Sequence, residues 1–170
     1  MSVFTKLNGQ VRNCNHPNIP YLYNYAGAPW KTQHRIRSLV HQWFRNDLMG
    51  MPGDEDGGGL SAFVVFSMMG FYPVTPGLPV YHIGSPFFSS IELKMSNGKT
   101  LEIIPRNCSE ENKYIQSAKL NGKVWTKPWF SHEDIVNGGK LEFVMGNRCN
   151  KEWGSGAEDV PPSLDMKNKE

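Results

Sequence analysis

Residues 50–74 read GMPGDEDGGGLSAFVVFSMMGFYPV and join an acidic loop to an apolar segment. Two aspartates, Asp54 and Asp56, are followed by three glycines, and residues 60–70 are apolar nearly all round. A helix that is apolar on every side has neighbours on every side, so this pattern predicts an interior helix that ends at Gly70. We therefore expect the acidic loop to lie in a cleft rather than on an outer surface.

The segment before this stretch has helical periodicity. Apolar residues recur with the spacing i, i+3, i+4, i+7 and i+8, which predicts an amphipathic helix with one broad buried stripe. The residues of this stripe are Ile36, Leu39, Val40, Trp43 and Phe44. Pro29 suits the first turn of the helix, because its missing N–H would be unpaired there anyway. Ahead of it, PYLYNYAGAPW predicts another short helix that stops at Gly27.

The second half of the chain has a period of two. This pattern begins after about residue 78 and predicts antiparallel β-sheet with one solvated face. Two Asn-Gly dipeptides mark hairpins. A three-residue loop over 97–99 would place Met95 opposite Leu101, and the second hairpin would place Leu120 opposite Val124. KLEFVMG predicts a further strand, and the polar tail after Trp153 is expected on the surface.

The predicted division is into helices over residues 1–77, β structure over 78–157 and a polar tail over 158–170. These few elements cannot cover each other, so we expect a large exposed apolar face. The pattern therefore predicts that the chain is the C-terminal part of a larger α+β protein, and that such a piece by itself self-associates.

Composition excludes several classes of protein. The chain has 170 residues, 39% of them hydrophobic, and a net charge of +2 with acids and bases interspersed. This distribution argues against nucleic-acid binding, which concentrates basic residues, and no run reaches the roughly 18 apolar residues of a membrane span. Three widely spaced cysteines give neither a disulfide framework nor a zinc signature. The segment MSVFTKLNGQVRN lacks the apolar core of a secretion signal, so either the chain stays in the cytoplasm or its true N-terminus lies elsewhere.

The acidic loop suits only some kinds of chemistry. An aspartate before a helix is commonly an N-cap, but one cap needs one aspartate. An EF-hand would require Glu twelve positions into the loop, where Val65 stands, and two aspartates would repel a phosphate. A carboxylate at a helix N-terminus has a lowered pKa, which suits a general base or a metal ligand and not a general acid. A base that activates water is the active role that survives.

Several long motifs now occur in fixed order between residues 13 and 163. They are IPYLYNYAGAPWKTQ, GDEDGGGLSAFVVFSMMGFYPVTPG, YHIGSPFF, YIQSAKLNGK, SHEDIVNGGKLEFVMGN and WG. Together they resemble the C-terminal part of the bacterial exo-acting α-mannosidases of glycoside hydrolase family 92. The resemblance implies helices from part of an (α/α)6 barrel followed by an antiparallel β-sheet or sandwich segment. It also implies calcium-dependent hydrolysis of α-mannosidic bonds in mannose-containing glycans, with inversion at the anomeric carbon, in a periplasmic or secreted enzyme.

The resemblance assigns the catalytic roles in the acidic loop. The family's general base falls on Asp56, and Asp54 is expected to assist it. The family's catalytic acid is a Glu upstream of the matched residues, and residues 1–12 contain no carboxylate. We therefore predict that this chain alone is inactive. Three interpretations remain open: an enzyme segment that needs its missing N-terminal part, a non-catalytic carbohydrate- or calcium-binding remnant, and a subunit that completes a partner chain.

The segment before PYLYNY is expected to bind substrate and calcium. Many family members carry Glu-Pro there, whereas this chain has Asn13, Cys14 and His16, so the preference for α-1,2 or another linkage does not transfer. Asn18 either offers an amide oxygen to calcium or caps the helix that follows. Trp30 either stacks on a sugar ring or packs within the barrel.

Overall fold

The computed structural model describes residues 18–52 and 57–163 of the chain. In this part of the chain, the helical elements are a 3-10 helix (Ile19–Asn24), α1 (Pro29–Trp43), α2 (Gly59–Met69) and a second 3-10 helix (Ala157–Asp159). The strands are β1 (Phe71–Tyr72), β2 (Val80–Ile83), β3 (Ile91–Lys94), β4 (Thr100–Arg106), β5 (Tyr114–Leu120), β6 (Lys123–Val124), β7 (Trp129–Ser131) and β8 (Gly139–Gly146). Neither α-helix has the length and apolar character that crossing a membrane would require.

Helix α1 confirms the predicted stripe. Ile36, Leu39 and Val40 are buried, and Pro29 occupies the first turn. The helix ends one residue before the stripe does. Phe44 is the C-cap in an extended conformation, yet its side chain still packs against the same core.

Helix α2 ends at Gly70, as predicted. Gly70 has a φ of +97°, and its N–H donates to the carbonyls of Phe66 and Ser67. A Cβ at this position would lie 2.9 Å from Pro86, so glycine is required for two reasons. The neighbours expected on every side of the helix are absent from the described part of the chain, where only Leu60, Phe63 and Ser67 of α2 are buried.

The strands form two sheets. The three-stranded sheet has the order β1-β2-β7, and the five-stranded sheet has the order β3-β4-β8-β5-β6. The prediction of a purely antiparallel sheet is wrong for one pair of strands, since β4 and β8 are parallel. Strand β8 lies between β4 and β5. Because β4 and β5 run in opposite directions, β8 must be parallel to one of them. The observed class is therefore α+β with a mixed sheet.

Both sheets contribute to the larger of two cores. Inward residues of the five-stranded sheet alternate with solvated ones, as the period of two predicted. They are Leu101, Ile103, Ile115, Ala118, Leu120, Leu141, Phe143 and Met145. Phe71, Ile83 and Phe130 of the three-stranded sheet complete this core. The smaller core joins the 3-10 helix to the two α-helices through Tyr21, Ile36, Leu39, Phe63 and Val74.

The first hairpin keeps its apolar face but not the expected register. Leu101 pairs with Leu93, so the expected pairing of Leu101 with Met95 is wrong by two residues. The N–H of Met95 donates to the carbonyl of Lys99 over 2.8 Å, which leaves three residues in the loop. Gly98, the third of them, has a φ of +75° and supplies the left-handed residue that such loops require.

The second hairpin has a shorter loop than expected. Leu120 pairs with Lys123 and not with Val124. Asn121 and Gly122 have φ values of +51° and +79°, which is the two-residue turn that matches the twist of the strands. As a result Leu120 is buried, whereas Val124 is 76% exposed.

The tail after Trp153 is anchored to the surface rather than free. The indole N–H of Trp153 donates to the carbonyl of Trp125 over 3.0 Å. The Thr126 hydroxyl donates to the Asp159 carboxylate over 2.7 Å, and the Tyr25 hydroxyl donates to the carbonyl of Pro162 over 3.4 Å. Residues up to 162 are thereby tied to both halves of the molecule.

Candidate active site

Most of the predicted site residues lie outside the part of the chain that the structure describes. These residues are the predicted catalytic Asp54 and Asp56 and the predicted substrate-binding Asn13, Cys14 and His16. The structure does describe the residues that follow the acidic loop, the helix that carries them, and the other two predicted residues, Asn18 and Trp30.

Helix α2 begins at Gly59, three residues beyond Asp56. Gly58 is the N-cap with a φ of +95°, so the interpretation of an aspartate as the cap of this helix is wrong. The first turn contains no acidic residue and the N-cap makes no side-chain hydrogen bond. A Cβ placed at Gly57, Gly58 or Gly59 would meet no described atom within 4 Å. Among the described residues, the backbone after the acidic loop therefore has no close neighbour on this side.

Helix α2 is held in place by a buried hydroxyl pair. The Tyr21 hydroxyl donates to Ser67 Oγ over 3.1 Å, and both residues are fully buried. Burial raises the pKa of Tyr21, because the phenolate cannot be solvated there. Gly84 lies flat against the ring, and a Cβ on it would come within 3.2 Å of the Tyr21 hydroxyl. The PYLYNY motif thus anchors α2, the helix that follows the acidic loop in the sequence.

Asn24 ties the same motif to the sheets. Its side-chain amide donates to the carbonyls of Ile83 and Pro128, each over 3.0 Å. Asn24 is completely buried, so these two bonds replace the water that its NH2 group loses on folding, whereas its amide oxygen has no hydrogen-bond partner among the described residues. Sequence reasoning did not identify this link, although an asparagine between two tyrosines in a buried helix was a signal for it.

Asn18 is the N-cap residue of the first 3-10 helix, as one of the two interpretations expected. Its carbonyl accepts the N–H of Tyr21 over 2.9 Å, but its side chain makes no cap hydrogen bond. Asn18 therefore caps the helix by its position and not through its side chain. The amide group is not engaged in that role, and the calcium-ligand role stays a prediction.

Trp30 is half-buried at the start of α1 and lies among lysines. The ammonium groups of Lys31 and Lys151 lie 5.2 Å and 5.7 Å from its ring centroid. Both distances are within the range of a cation–π attraction. Next to it, Pro29 packs against Gly154, where a Cβ would come within 3.0 Å of the proline ring. The ring therefore belongs to a basic, aromatic part of the surface.

The described residues alone do not make a calcium site. Among residues 18–52 and 57–163 no group of three or more His, Cys, Asp or Glu side chains could hold a metal ion. Calcium takes six to eight oxygen ligands, and the Asn18 amide would supply one of them. We therefore derive no catalytic step through calcium.

Sequence reasoning missed two buried polar groups, Arg37 and His82. Arg37 is 3% exposed; it donates from Nε to Ser85 Oγ over 3.0 Å and from Nη2 to Cys108 Sγ over 3.1 Å. Burial lowers the pKa of Arg37. His82 on β2 is 1% exposed, and burial lowers its pKa to about 4. The position of Arg37 directly after Ile36, on the buried stripe of α1, was the available signal for the first group.

Comparison with known proteins identifies the family. The family model "Glycosyl hydrolase family 92 catalytic domain" matches residues 3–147. The chain is 42% identical over 147 residues to an uncharacterized secreted glycosidase from Arthroderma benhamiae, which covers 85% of this chain and 19% of that protein.

Solved structures give the same assignment. A family 92 α-mannosidase from Bacteroides thetaiotaomicron, in complex with mannoimidazole, is 40% identical with a TM-score of 0.84, covering 87% of this chain and 20% of that one. A family 92 inverting mannosidase from the same species is 38% identical with a TM-score of 0.85, covering 95% and 22%. The chain thus spans about a fifth of the length of these relatives. It belongs to glycosyl hydrolase family 92.

Proposed function

We propose that this chain is the part of an inverting, exo-acting α-mannosidase that supplies the water-activating base. One observation carries the proposal: within a family 92 chain, two aspartates precede an open, glycine-lined helix N-terminus. Asp56 is the base and Asp54 assists it. The substrate is a mannose-containing glycan with an α-1,2 or related linkage.

The proposed chemistry follows from the position of Asp56 in the sequence, two residues before the N-cap of α2. The positive end of the helix dipole favours the ionised form of a nearby carboxylate and lowers its pKa, as a base requires. Asp56 takes a proton from water, and the water oxygen attacks the anomeric carbon while the glycosidic bond breaks. A separate acid on the opposite face protonates the leaving oxygen, with the two carboxyl groups about 6.5–9.5 Å apart. Asp54 is too close in sequence to be that acid.

The remaining assignments complete the proposal. Asn13, Cys14, His16 and Trp30 face the substrate, and Asn18 contributes an oxygen to calcium. The helices over residues 1–77 belong to an (α/α)6 barrel, 78–157 form the β-rich segment and 158–170 the tail. The secreted relative from Arthroderma benhamiae supports a periplasmic or secreted location for the full enzyme.

The chain alone does not hydrolyse mannosides in this proposal, because the acid comes from the missing N-terminal part or from a partner chain. Cleavage of an α-mannoside by the pure 170-residue chain would contradict this.

The test uses these 170 residues joined to the remainder of a family 92 chain. Asp56→Asn should lower kcat by about 10²–10⁴-fold, the usual contribution of a general base, with little change in mannose binding. Glu55→Gln is the matched control, because it removes a neighbouring carboxylate of the same loop and should retain activity. Equal losses in both variants, with both folded, would favour a non-catalytic role for the loop.

A further inference from the structure

The sequence contains four Asn-Gly dipeptides, the pair of residues at which asparagine most readily loses its side-chain amide. Glycine has no Cβ to shield its backbone nitrogen, so this nitrogen can attack the side-chain carbonyl carbon of the preceding asparagine. Asn8 lies outside the described residues, whereas Asn97, Asn121 and Asn137 lie within them. The structure holds these three side chains differently.

The two asparagines in the hairpin loops are held by hydrogen bonds. Asn97 is held at both ends of its amide, since Oδ1 accepts the N–H of Lys99 over 3.0 Å and Nδ2 donates to the carbonyl of Val136 over 2.7 Å. Asn121 Oδ1 accepts the N–H of Lys140 over 2.8 Å. Each of these side chains must break its hydrogen bonds before it can reach the geometry of the attack.

Asn137 is exposed in the turn that precedes β8, and no side-chain hydrogen bond joins it to the described part of the chain. The backbone nitrogen does not make the difference. The N–H of Gly138 donates to the carbonyl of Ile135 over 2.8 Å, and the N–H of Gly98 donates to the carbonyl of Met95 over 3.0 Å. The attacking nitrogens of these two sites are therefore engaged in the same way, and only the asparagine side chains differ.

The fold requires the glycine that makes this dipeptide labile. Gly138 has a φ of +78°, and a Cβ at this position would lie 2.6 Å from the carbonyl oxygen of Thr100. Gly139 has a φ of +141°, and a Cβ there would overlap Asn121 Oδ1. A larger residue after Asn137 would hinder the attack, but the start of β8 has no room for one.

We propose that Asn137 is a site of spontaneous modification, at which the folded chain forms isoaspartate. The backbone nitrogen of Gly138 attacks Cγ of Asn137 and gives up its proton, the side-chain amide leaves as ammonia, and a cyclic succinimide forms. Water then opens the succinimide at either of its two carbonyls. One product is aspartate, and the other is isoaspartate, in which the main chain runs through Cγ. Water is the only reactant, and the proposed function is not required for this step.

Isoaspartate would disturb the start of β8. The main chain then contains an additional carbon atom between Cα of residue 137 and the nitrogen of Gly138. Strand β8 begins at Gly139, whose register partner on the parallel strand β4 is the fully buried Leu101. A longer connection displaces the end of β8 from this register, whereas aspartate leaves the main chain unchanged and only adds a negative charge.

The test follows each asparagine by peptide mapping after the 170-residue chain has been incubated in mildly alkaline buffer. We expect Asn137 to convert at least about tenfold faster than Asn97, because two hydrogen bonds hold the Asn97 side chain. It should also convert faster than Asn121. The same chain unfolded in urea is the matched reference, in which all three should convert at similar rates. Asn137→Gln should remove the main isoaspartate product, because glutamine cyclises far more slowly.

A folded chain in which Asn137 converts no faster than Asn97 and Asn121 would overturn the proposal. So would isoaspartate that forms to the same extent in Asn137→Gln.

The effect on β8 is tested on the isoaspartate form after it has been separated from the parent chain. Its urea midpoint should lie below that of the parent. Asn137→Asp is the matched control, since it carries the same charge on a normal main chain and should unfold close to the parent midpoint. An isoaspartate form that unfolds at the parent midpoint would overturn the assigned effect on β8, and so would an equal loss in Asn137→Asp.

Discussion

The two halves of the chain use apolar residues differently. Strand β8 and helix α2 are both rich in them, but β8 buries Leu141, Phe143 and Met145 in alternation and exposes the residues between. Helix α2 has apolar residues on every side and buries only one of its faces within the described chain. The β half therefore completes its own core, whereas the helical half leaves an apolar face without a partner.

The difference lies in whether an element needs neighbours beyond the described residues to cover its apolar side chains. Alternation along a strand places polar residues on the side that meets water, so a sheet with one wet face is finished by its own sequence. A helix without a polar face needs further elements around it. Under the proposed function, the rest of a family 92 chain supplies those elements.

The largest expected effect sharpens the contrast between the two halves. Phe130 is fully buried where the two sheets meet, with its ring centroid 5.3 Å from those of Phe71 and Tyr81. Phe130→Ala should lower the free energy of unfolding by about 3–5 kcal/mol, because it leaves a cavity in a closed core. Urea denaturation measures this change.

Val65→Ala is the matched substitution on α2, where Val65 is 56% exposed. It should change the free energy of unfolding by no more than about 0.5 kcal/mol, because the side chain that it truncates is mostly in water. A loss of comparable size in both variants would show that α2 is covered in the free chain, and the contrast between the halves would fail.

The second expected effect concerns the junction between the halves. His82 on β2 packs against Tyr25, with ring centroids 4.9 Å apart and the ring planes tilted by 50°, and is hydrogen-bonded to the backbone of Tyr21. Burial lowers its pKa from 6.5 to about 4, so the folded protein holds the neutral form. Protonation therefore favours the unfolded chain. The stabilising contribution is complete above pH 6.5 and is lost as the pH falls toward 4.

Between about pH 7.5 and about pH 5, the free energy of unfolding should fall by about 2 kcal/mol because of this histidine. Denaturation at the two pH values measures this change. The pKa of His34 is also lowered and contributes with the same sign, so His82→Gln isolates the effect. The variant should be less sensitive to acid over this range. An unchanged pH dependence in His82→Gln would show that the junction is not the acid-sensitive point.

The helices and strands were predictable because each depends on local spacing. The stripe from Ile36 to Val40 and the stop at Gly70 follow from the helical period and from backbone freedom, and both are confirmed. The parallel pairing of β4 with β8 was not predictable in this way. It arises because β8, the last strand in the chain, lies between β4 and β5, and no local pattern specifies that position. The Tyr21–Ser67 hydroxyl pair joins residues 46 apart in sequence, and no local pattern reports such a contact.

The candidate site was predictable for a different reason. The acidic loop and the glycines were recognised from motif chemistry, and the family resemblance is confirmed. The roles of Asp54 and Asp56 stay predictions, since they fall outside the described residues. Asn18 occupies the N-cap position, but its side chain makes no cap hydrogen bond: Pro20 has no N–H to offer, and the N–H of Tyr21 donates to the Asn18 carbonyl.

The smallest expected effect compares two glycines, one in each half. Gly122 has a φ of +79° in the second hairpin, so Gly122→Ala should cost about 1 kcal/mol of stability through backbone strain. Gly59 is the first residue of α2, is not among the glycines with positive φ, and borders open space. Gly59→Ala should therefore stabilise the chain by about 0.4–1 kcal/mol, because it restricts only the unfolded state. Urea denaturation of the two variants under one set of conditions should give shifts of opposite sign. If Gly59→Ala also destabilised the chain, its Cβ would have to meet atoms beyond those described, and the open space next to the acidic loop would be filled in the free chain.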